Sequence, residues 1–287
     1  MLHIIRRRRE RLRRIRQYYI DKRKELFLKR KERIDKHNDL VRIYNSYARL
    51  NIPFSLKPAY NSIIPLNLYI CWHTKDLPPL MRNNYEKLKN DNPEFNTCLY
   101  DEAECRDFIT THFSTDVLNA YNTLLPCSYK SDLWRFCVLY INGGVYLDIK
   151  YQCVNNFKFI ALTEKEYFVK DLVKDVYTAL IVTLPKNEIL LKCINKIVEN
   201  VNNRFYGNSS LEPTGPALLG SYFTNNEVNH LELYHEKSLI TNKLNEYYIV
   251  YKGSIILSIF KEYRNEQARF QKHTHYQRLW EDKNIYV

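Results

Sequence analysis

The stretch Ser131 to Tyr151, SDLWRFCVLYINGGVYLDIKY, constrains the fold of this chain more than any other. Behind Ser131, a good N-cap, Leu133, Trp134, Phe136, Val138, Leu139 and Ile141 form an almost wholly apolar run, which predicts a helix buried in an α/β core. Asp132 and Arg135 are its only charges, and their i,i+3 spacing puts them on one face. The chain has six glycines, none before Gly143, and the first two stand side by side at Gly143 and Gly144. A backbone without Cβ atoms is needed there. Beyond them Val145, Leu147 and Ile149 alternate with Tyr146, Asp148 and Lys150, which predicts a strand with Asp148 and Lys150 facing the same way. Ligands of α/β sheets sit outside the carboxyl ends of strands, so chemistry is expected at that end.

The flanking sequence extends the pattern. Strand signals at Leu66 to Trp72 and Phe95 to Tyr100 alternate with helical ones at Pro79 to Asn90 and Asp101 to His112, and Ser114 to Leu125 reads as a helical insert. Such βαβ order implies an α/β fold with a mainly parallel sheet and helices on both faces. From Ile4 to Leu50 there is neither Gly nor Pro, so one or two long helices are expected, ending before Pro53 and Pro58. The chain is expected to divide into a basic helical extension (1–50), a linker (51–62) and a catalytic-sized domain (63–287).

Charge follows that division. The net charge is +12, and residues 1–50 hold 18 Lys or Arg against 6 Asp or Glu, which is the whole excess. RRRRERLRRIR is open to three readings: a solvated helix, an anchor to an anionic membrane surface, or, less favoured, a nucleic-acid contact. The seven cysteines form no CxxC pair and mostly lie in apolar segments, so they read as reduced core residues. No apolar run reaches the length of a membrane span and no signal-peptide core is present, so a cytoplasmic location, peripheral to a membrane at most, is expected. Abundant Lys, Asn, Ile and Tyr suit an AT-rich genome such as that of a large virus or an intracellular bacterium.

The string SDxxRxxxLxxxGGxYxDxx resembles the DXD-containing sugar transferases, which include initiating mannosyltransferases, capsular polysaccharide transferases and the glucosylating domains of clostridial toxins. Ile64 to Trp72 resembles the family's first strand, and YTALIVTLPKNEILLKCINKIVENV with the later Thr214, Gly215 and Pro216 resembles its later strand, helix and turn. HYQRLW, His275 to Trp280, is similar to its closing segment. The resemblance implies a GT-A type, Rossmann-like fold and a retaining glycosyltransferase that moves a hexose from a UDP- or GDP-hexose donor to a glycan or protein acceptor. It further implies that Trp72 stacks on the base, that Asp132 and Arg135 hold sugar hydroxyls, that Asp148 binds manganese or magnesium, and that Trp280 caps the diphosphate.

Two positions depart from that pattern. Lys150 replaces the second aspartate, giving DIK, and Arg278 replaces the polar residue before the closing tryptophan. Both changes add positive charge. Under one reading Lys150 and Arg278 neutralise the leaving diphosphate, with metal held by Asp148 alone or not needed; under the other the enzyme is inactive. Catalysis is therefore assigned to Asp148, Lys150, Asp132 and Arg135, and donor binding also to Trp72, Tyr146, Trp280 and Arg278. His275 is a candidate second metal ligand, whereas His73 and the Thr214 to Pro216 turn read as structural. The alternative is a catalytically inactive transferase-fold protein that binds nucleotide sugar, or acts on membrane or RNA through its basic helix.

Overall fold

The computed structural model describes residues 2–49, 52–172, 175–237, 247–270 and 273–287, with side chains of the first helix at 14 and 16–41. The chain divides into two units, a long helix and an α/β body. The helix, α1 (Leu2–Arg49), is unbroken, as the absence of Gly and Pro predicts. Apolar side chains stand exposed among its basic ones, including Tyr19, Leu26, Phe27 and Leu28. Among the described residues no helix is long and apolar enough to cross a membrane.

The body opens with β1 (Asn67–Cys71), α2 (Pro79–Asp91), β2 (Asn96–Tyr100), α3 (Glu102–His112) and α4 (Thr115–Thr123). The central helix α5 (Cys127–Asn142) and strand β3 (Gly144–Leu147) follow, then β4 (Tyr151–Cys153), β5 (Tyr167–Lys170), β6 (Val176–Thr183) and α6 (Glu188–Asn202). Two short helices, α7 (Pro216–Gly220) and α8 (Asn225–Asn229), lead to β7 (Leu233–Lys237), β8 (Tyr247–Tyr251) and β9 (Ser254–Ile259). The chain closes with α9 (Tyr263–Phe270) and α10 (Tyr276–Glu281).

The α/β class expected from the sequence holds, and the sheet is mixed. Its order is β2-β1-β3-β6-β5-β7-β8-β9-β4. Pairing is parallel across β2-β1-β3 and between β5 and β7, and antiparallel elsewhere. The order carries a geometric consequence. Four residue steps separate Leu147 from Tyr151, a reach of about 14 Å, yet β3 and β4 stand six places apart, about 29 Å in a flat sheet. The sheet must therefore curl, bringing β9 round toward the carboxyl end of β3.

Alternation along the strands sorts the core into two faces. Leu68, Ile70, Val145, Leu147, Leu180 and Val182 pack on one side with Met81 and Leu88 of α2. Tyr69, Tyr146 and Ile181 pack on the other with α3 to α7. Helices thus cover both faces. Phe54, inside the segment expected as a linker, is buried in the first of these clusters, and its N–H donates to Asn155 O at 2.6 Å.

Two local expectations are corrected. Ser131 does not cap the central helix: α5 starts four residues earlier behind Pro126, whose missing N–H and φ of −68° suit a helix entry. The segment from Asp148 to Lys150 is not strand. Asp148 N–H still donates to Ala179 O (2.8 Å), but Tyr151 N–H then donates to Asp148 O (3.1 Å), turning the chain into β4. The glycine pair behaves as expected. Both have positive φ, 62° and 108°, and a Cβ would lie 2.7 Å from Pro185 at Gly143 and 2.7 Å from Asn67 O at Gly144.

Candidate functional site

Arg135 organises the site. Its guanidinium reaches Asp132 Oδ1 at 3.2 Å and Asp148 Oδ1 at 3.5 Å. It donates to Thr178 O (2.7 Å) and to Ser131 Oγ (3.0 Å), and it lies 4.4 Å from the centroid of the Tyr146 ring. One turn of α5 thus supplies the cation and its first acid, and the residue just past β3 supplies the second. Such a fork fixes two carboxylates at set angles.

The two acids differ. Asp132 is buried, and burial pushes its carboxyl above the ordinary value despite Arg135 and the hydrogen bond from Thr214. Burial also opposes ionisation of Asp148, but the Lys150 ammonium, the Arg135 guanidinium and hydrogen bonds from Lys150 and Tyr146 outweigh it and bring the carboxyl down to about 2. Tyr146 OH donates to Asp148 Oδ1 (2.9 Å) and Lys150 Nζ to Oδ2 (2.7 Å). For Lys150, burial favours the neutral amine, but Asp148 and the nearby tyrosines raise its pKa above the usual lysine value.

Two cavities meet at this cluster, sharing Arg135 and Asp148 in their walls. The smaller, about 160 Å³, is lined by Trp72 and His73 just past β1, with Cys71, Lys130 and Ser131. The larger, about 470 Å³, is lined by Asp132, Lys150, Tyr177, Arg264 and His275 among others. Glu266 holds the outer wall in place: its carboxylate accepts the N–H groups of Leu80 and Met81 at the start of α2, at 2.8 and 2.7 Å, which docks α9, whose Tyr263 and Gln267 line both cavities, against α2. A carboxylate at a helix N-terminus also meets the positive end of the helix dipole.

The structure gathers most of the residues singled out in the sequence. Asp132, Arg135, Tyr146, Asp148, Lys150 and Trp72 line one or both cavities, and Trp72 Nε1 is buried without a hydrogen-bond partner. His73 lines the smaller cavity too, 4.8 Å from the Trp72 ring and edge-on to His273, and burial followed by His273 lowers its pKa. His275 lines the larger one, where its Nδ1 caps α10 by accepting Gln277 N–H. Trp280 and Arg278 line neither. Trp280 Nε1 donates to Tyr206 O (2.6 Å), and Arg278, mostly exposed, faces Asp282 at 3.8 Å.

Sequence reasoning undervalued Thr214 and missed Arg264 and Glu266. Thr214 does more than turn the chain: it is fully buried and its Oγ1 donates to Asp132 Oδ2 at 2.8 Å. A Cβ at Gly215 would lie 3.3 Å from the same oxygen. The Thr-Gly-Pro string was the available signal. Arg264 and Glu266 gave none, standing in a polar segment without periodicity.

The divalent metal implied by the DXD resemblance does not fit this donor set. Asp148 is a lone carboxylate with cations on both oxygens, and an ammonium stands where the second carboxylate belongs. Among the described residues no three His, Cys, Asp or Glu side chains converge to hold a metal.

Known proteins similar to this chain are glycosyltransferases. Residues 78–169 match the family described as "Glycosyltransferase sugar-binding region containing DXD motif". The chain is 24% identical over 173 residues to an uncharacterized glycosyltransferase of Acanthamoeba polyphaga mimivirus, covering 58% of this chain and 67% of that protein. Solved structures similar to it include the PaToxG glycosyltransferase (18% identity, 68% of this chain and 76% of that one, TM-score 0.43) and the ligand-free glycosyltransferase domain of the YGT toxin (10%, 50% and 64%, 0.38). The segment that carries Asp132, Arg135, Asp148 and Lys150 is therefore similar to the sugar-binding region, containing a DXD motif, of glycosyltransferases.

Proposed function

We propose that the protein transfers a hexose from a nucleoside diphosphate sugar to an acceptor hydroxyl of a glycan or protein, with retention of anomeric configuration. The observation that carries this reading is the Asp132–Arg135–Asp148–Lys150 cluster at the junction of the two cavities. In this reading the smaller cavity takes the base, with Trp72 as its stacking surface; such stacking contributes about 1 to 3 kcal/mol per base. Asp132 and Arg135 then hold sugar hydroxyls. Their mutual ion pair and the contacts from Thr214, Ser131 and Thr178 fix both groups before the sugar arrives, so little reorganisation is left to the reaction. Among the described residues no carboxylate stands free of partners at the cluster to act as a covalent nucleophile, which favours attack by the acceptor from the face the diphosphate leaves.

Hydrolysis of a panel of UDP- and GDP-sugars by the intact protein and by Asp148→Ala tests the proposal. One donor turned over by the wild type alone is the expected result. Equal turnover by both proteins, or loss of the folded state in place of loss of activity, counts against it.

The long helix supports a separate proposal of localisation. Along residues 16–41 it exposes aromatic and aliphatic side chains among many basic ones, a composition suited to an anionic membrane surface, where each basic residue contributes about 1 kcal/mol. Deleting residues 1–50 is expected to abolish sedimentation with phosphatidylserine vesicles and leave donor turnover intact. Sedimentation that survives the deletion contradicts this.

A further inference from the structure

We propose that the Lys150 ammonium is the built-in cation of this site, replacing both the second carboxylate of a DXD motif and the divalent metal that motif holds. The inference deepens the reading above and rests on a nucleoside diphosphate sugar as donor. Charge makes the exchange exact in kind: a carboxylate and a divalent cation together contribute one positive charge, and a lysine contributes the same. The field at the cluster is thus preserved while the metal becomes superfluous.

The geometry fits this role. Lys150 Nζ lies 2.7 Å from Asp148 Oδ2, with 17% of its side chain exposed, and lines the larger cavity. The faces of Tyr151 and Tyr177 flank the ammonium, with centroids at 5.4 and 5.3 Å, an arrangement that holds a cation in place. One N–H donates to Asp148. The other two have no acceptor among the described residues, which leaves them for oxygens of the diphosphate. Asp148 in turn acts on Lys150, fixing its position and charge, instead of ligating metal. A divalent ion brought to Asp148 would sit against Lys150 and Arg135, which already hold its two oxygens.

The chemical step then balances without metal. The bond between the anomeric carbon and the diphosphate oxygen breaks, and its electron pair stays on that oxygen, beside the Lys150 N–H groups. The acceptor oxygen bonds to the anomeric carbon, and its proton passes to the departing diphosphate. Donors aimed at a charge that develops in the transition state are worth about 10² to 10³ in rate each.

The test compares wild type with Lys150→Asp, which restores an acid two positions after Asp148. Two readouts are taken: Mn²⁺ binding by electron paramagnetic resonance, without donor, and donor hydrolysis with chelator or Mn²⁺. Wild type is expected to bind no Mn²⁺ at the site and to hydrolyse donor equally well in chelator. Lys150→Asp is expected to bind Mn²⁺, to lose about 100-fold in rate in chelator and to recover with Mn²⁺. Mn²⁺ binding by wild type that Asp148→Ala removes, or wild-type hydrolysis that chelator stops and Mn²⁺ restores, overturns the proposal. So does a Lys150→Asp protein that binds no Mn²⁺. Should no donor be hydrolysed by any variant, the transferase reading fails, while the Mn²⁺ titration still decides the role of Lys150.

Discussion

The two walls of the cleft are built in opposite ways. The inner wall comes from one continuous stretch, Cys127 to Lys150, and its charges are fixed by each other: Arg135 by two carboxylates, Asp148 by two cations. The outer wall comes from Tyr263 to Gln267 and His273 to Tyr276, and Glu266 on the start of α2 is its deepest polar anchor. Among the described residues Arg264 makes its side-chain hydrogen bond only within its own helix, to Gln267 at 3.0 Å. The inner wall is set before any ligand arrives, whereas the outer one rests on a buried carboxylate and on the packing of Tyr263 and Tyr276. Substitutions in the first should act on the chemistry, and those in the second on stability and substrate affinity.

The sharpest break is Asp148→Ala. It removes the partner of Lys150 and half the support of Arg135, and donor hydrolysis is expected to fall about 10³-fold with an unchanged circular dichroism spectrum. Next comes the turn that aims the wall: Gly144→Ala forces a Cβ to 2.7 Å from Asn67 O at a φ of 108°, which should cost about 3 kcal/mol in urea unfolding. A loss under about 0.5 kcal/mol would show that the strand start yields.

Asp132→Asn separates stability from function within the inner wall. Turnover is expected to fall about 100-fold, while stability at neutral pH holds or rises. The sign follows from the two carboxyls. Asp132 has a raised pKa in the folded state, so its contribution is fully present below the unfolded value, about 3.9, and is lost as pH rises through the folded one. Asp148, brought down to about 2, contributes above the unfolded value and loses that contribution as pH falls toward 2. Relative to Asp132→Asn, the wild type should weaken as pH climbs above 4; a difference that is flat or of opposite slope contradicts the assignment.

Smaller effects belong to the outer wall. Glu266→Gln loses the charge that accepts two helix N–H groups, and about 1 to 2 kcal/mol of stability, together with a higher KM, is expected at nearly unchanged kcat. Trp280→Phe should cost about 1 kcal/mol through the bond to Tyr206 O and leave donor KM alone. A raised KM would place Trp280 at the donor, as the family resemblance implies.

The same contrast explains what the sequence disclosed. The inner wall is contiguous, so helical periodicity put Asp132 and Arg135 on one face and the strand pattern required the glycine pair, whereas Asp148 and Lys150 meet through a turn past β3 that strand alternation did not foresee. The α/β class and most element positions followed from the same local patterns. What was hidden is long-range. The contact of Thr214 with Asp132 spans 82 residues and that of Glu266 with Met81 spans 185, and no local period encodes either. The antiparallel half of the sheet and its curl were equally illegible, because they depend on where β4 pairs after a three-residue turn. Ser131 was misread as a cap because good N-cap chemistry also suits a helix interior when the hydroxyl has partners, here Cys71 Sγ and Arg135.

The central claim, that the ion-paired cluster receives the sugar and the Trp72 cavity the base, is tested most directly by calorimetric titration. Wild type, Trp72→Ala and Asp132→Asn would each be titrated with the nucleoside diphosphate and with the matching nucleoside diphosphate sugar. The account predicts that Trp72→Ala weakens both ligands alike, by about 10-fold or more, while Asp132→Asn leaves the nucleotide untouched and removes only the added affinity of the sugar. Equal losses for both ligands in Asp132→Asn, or no loss in Trp72→Ala, would contradict it.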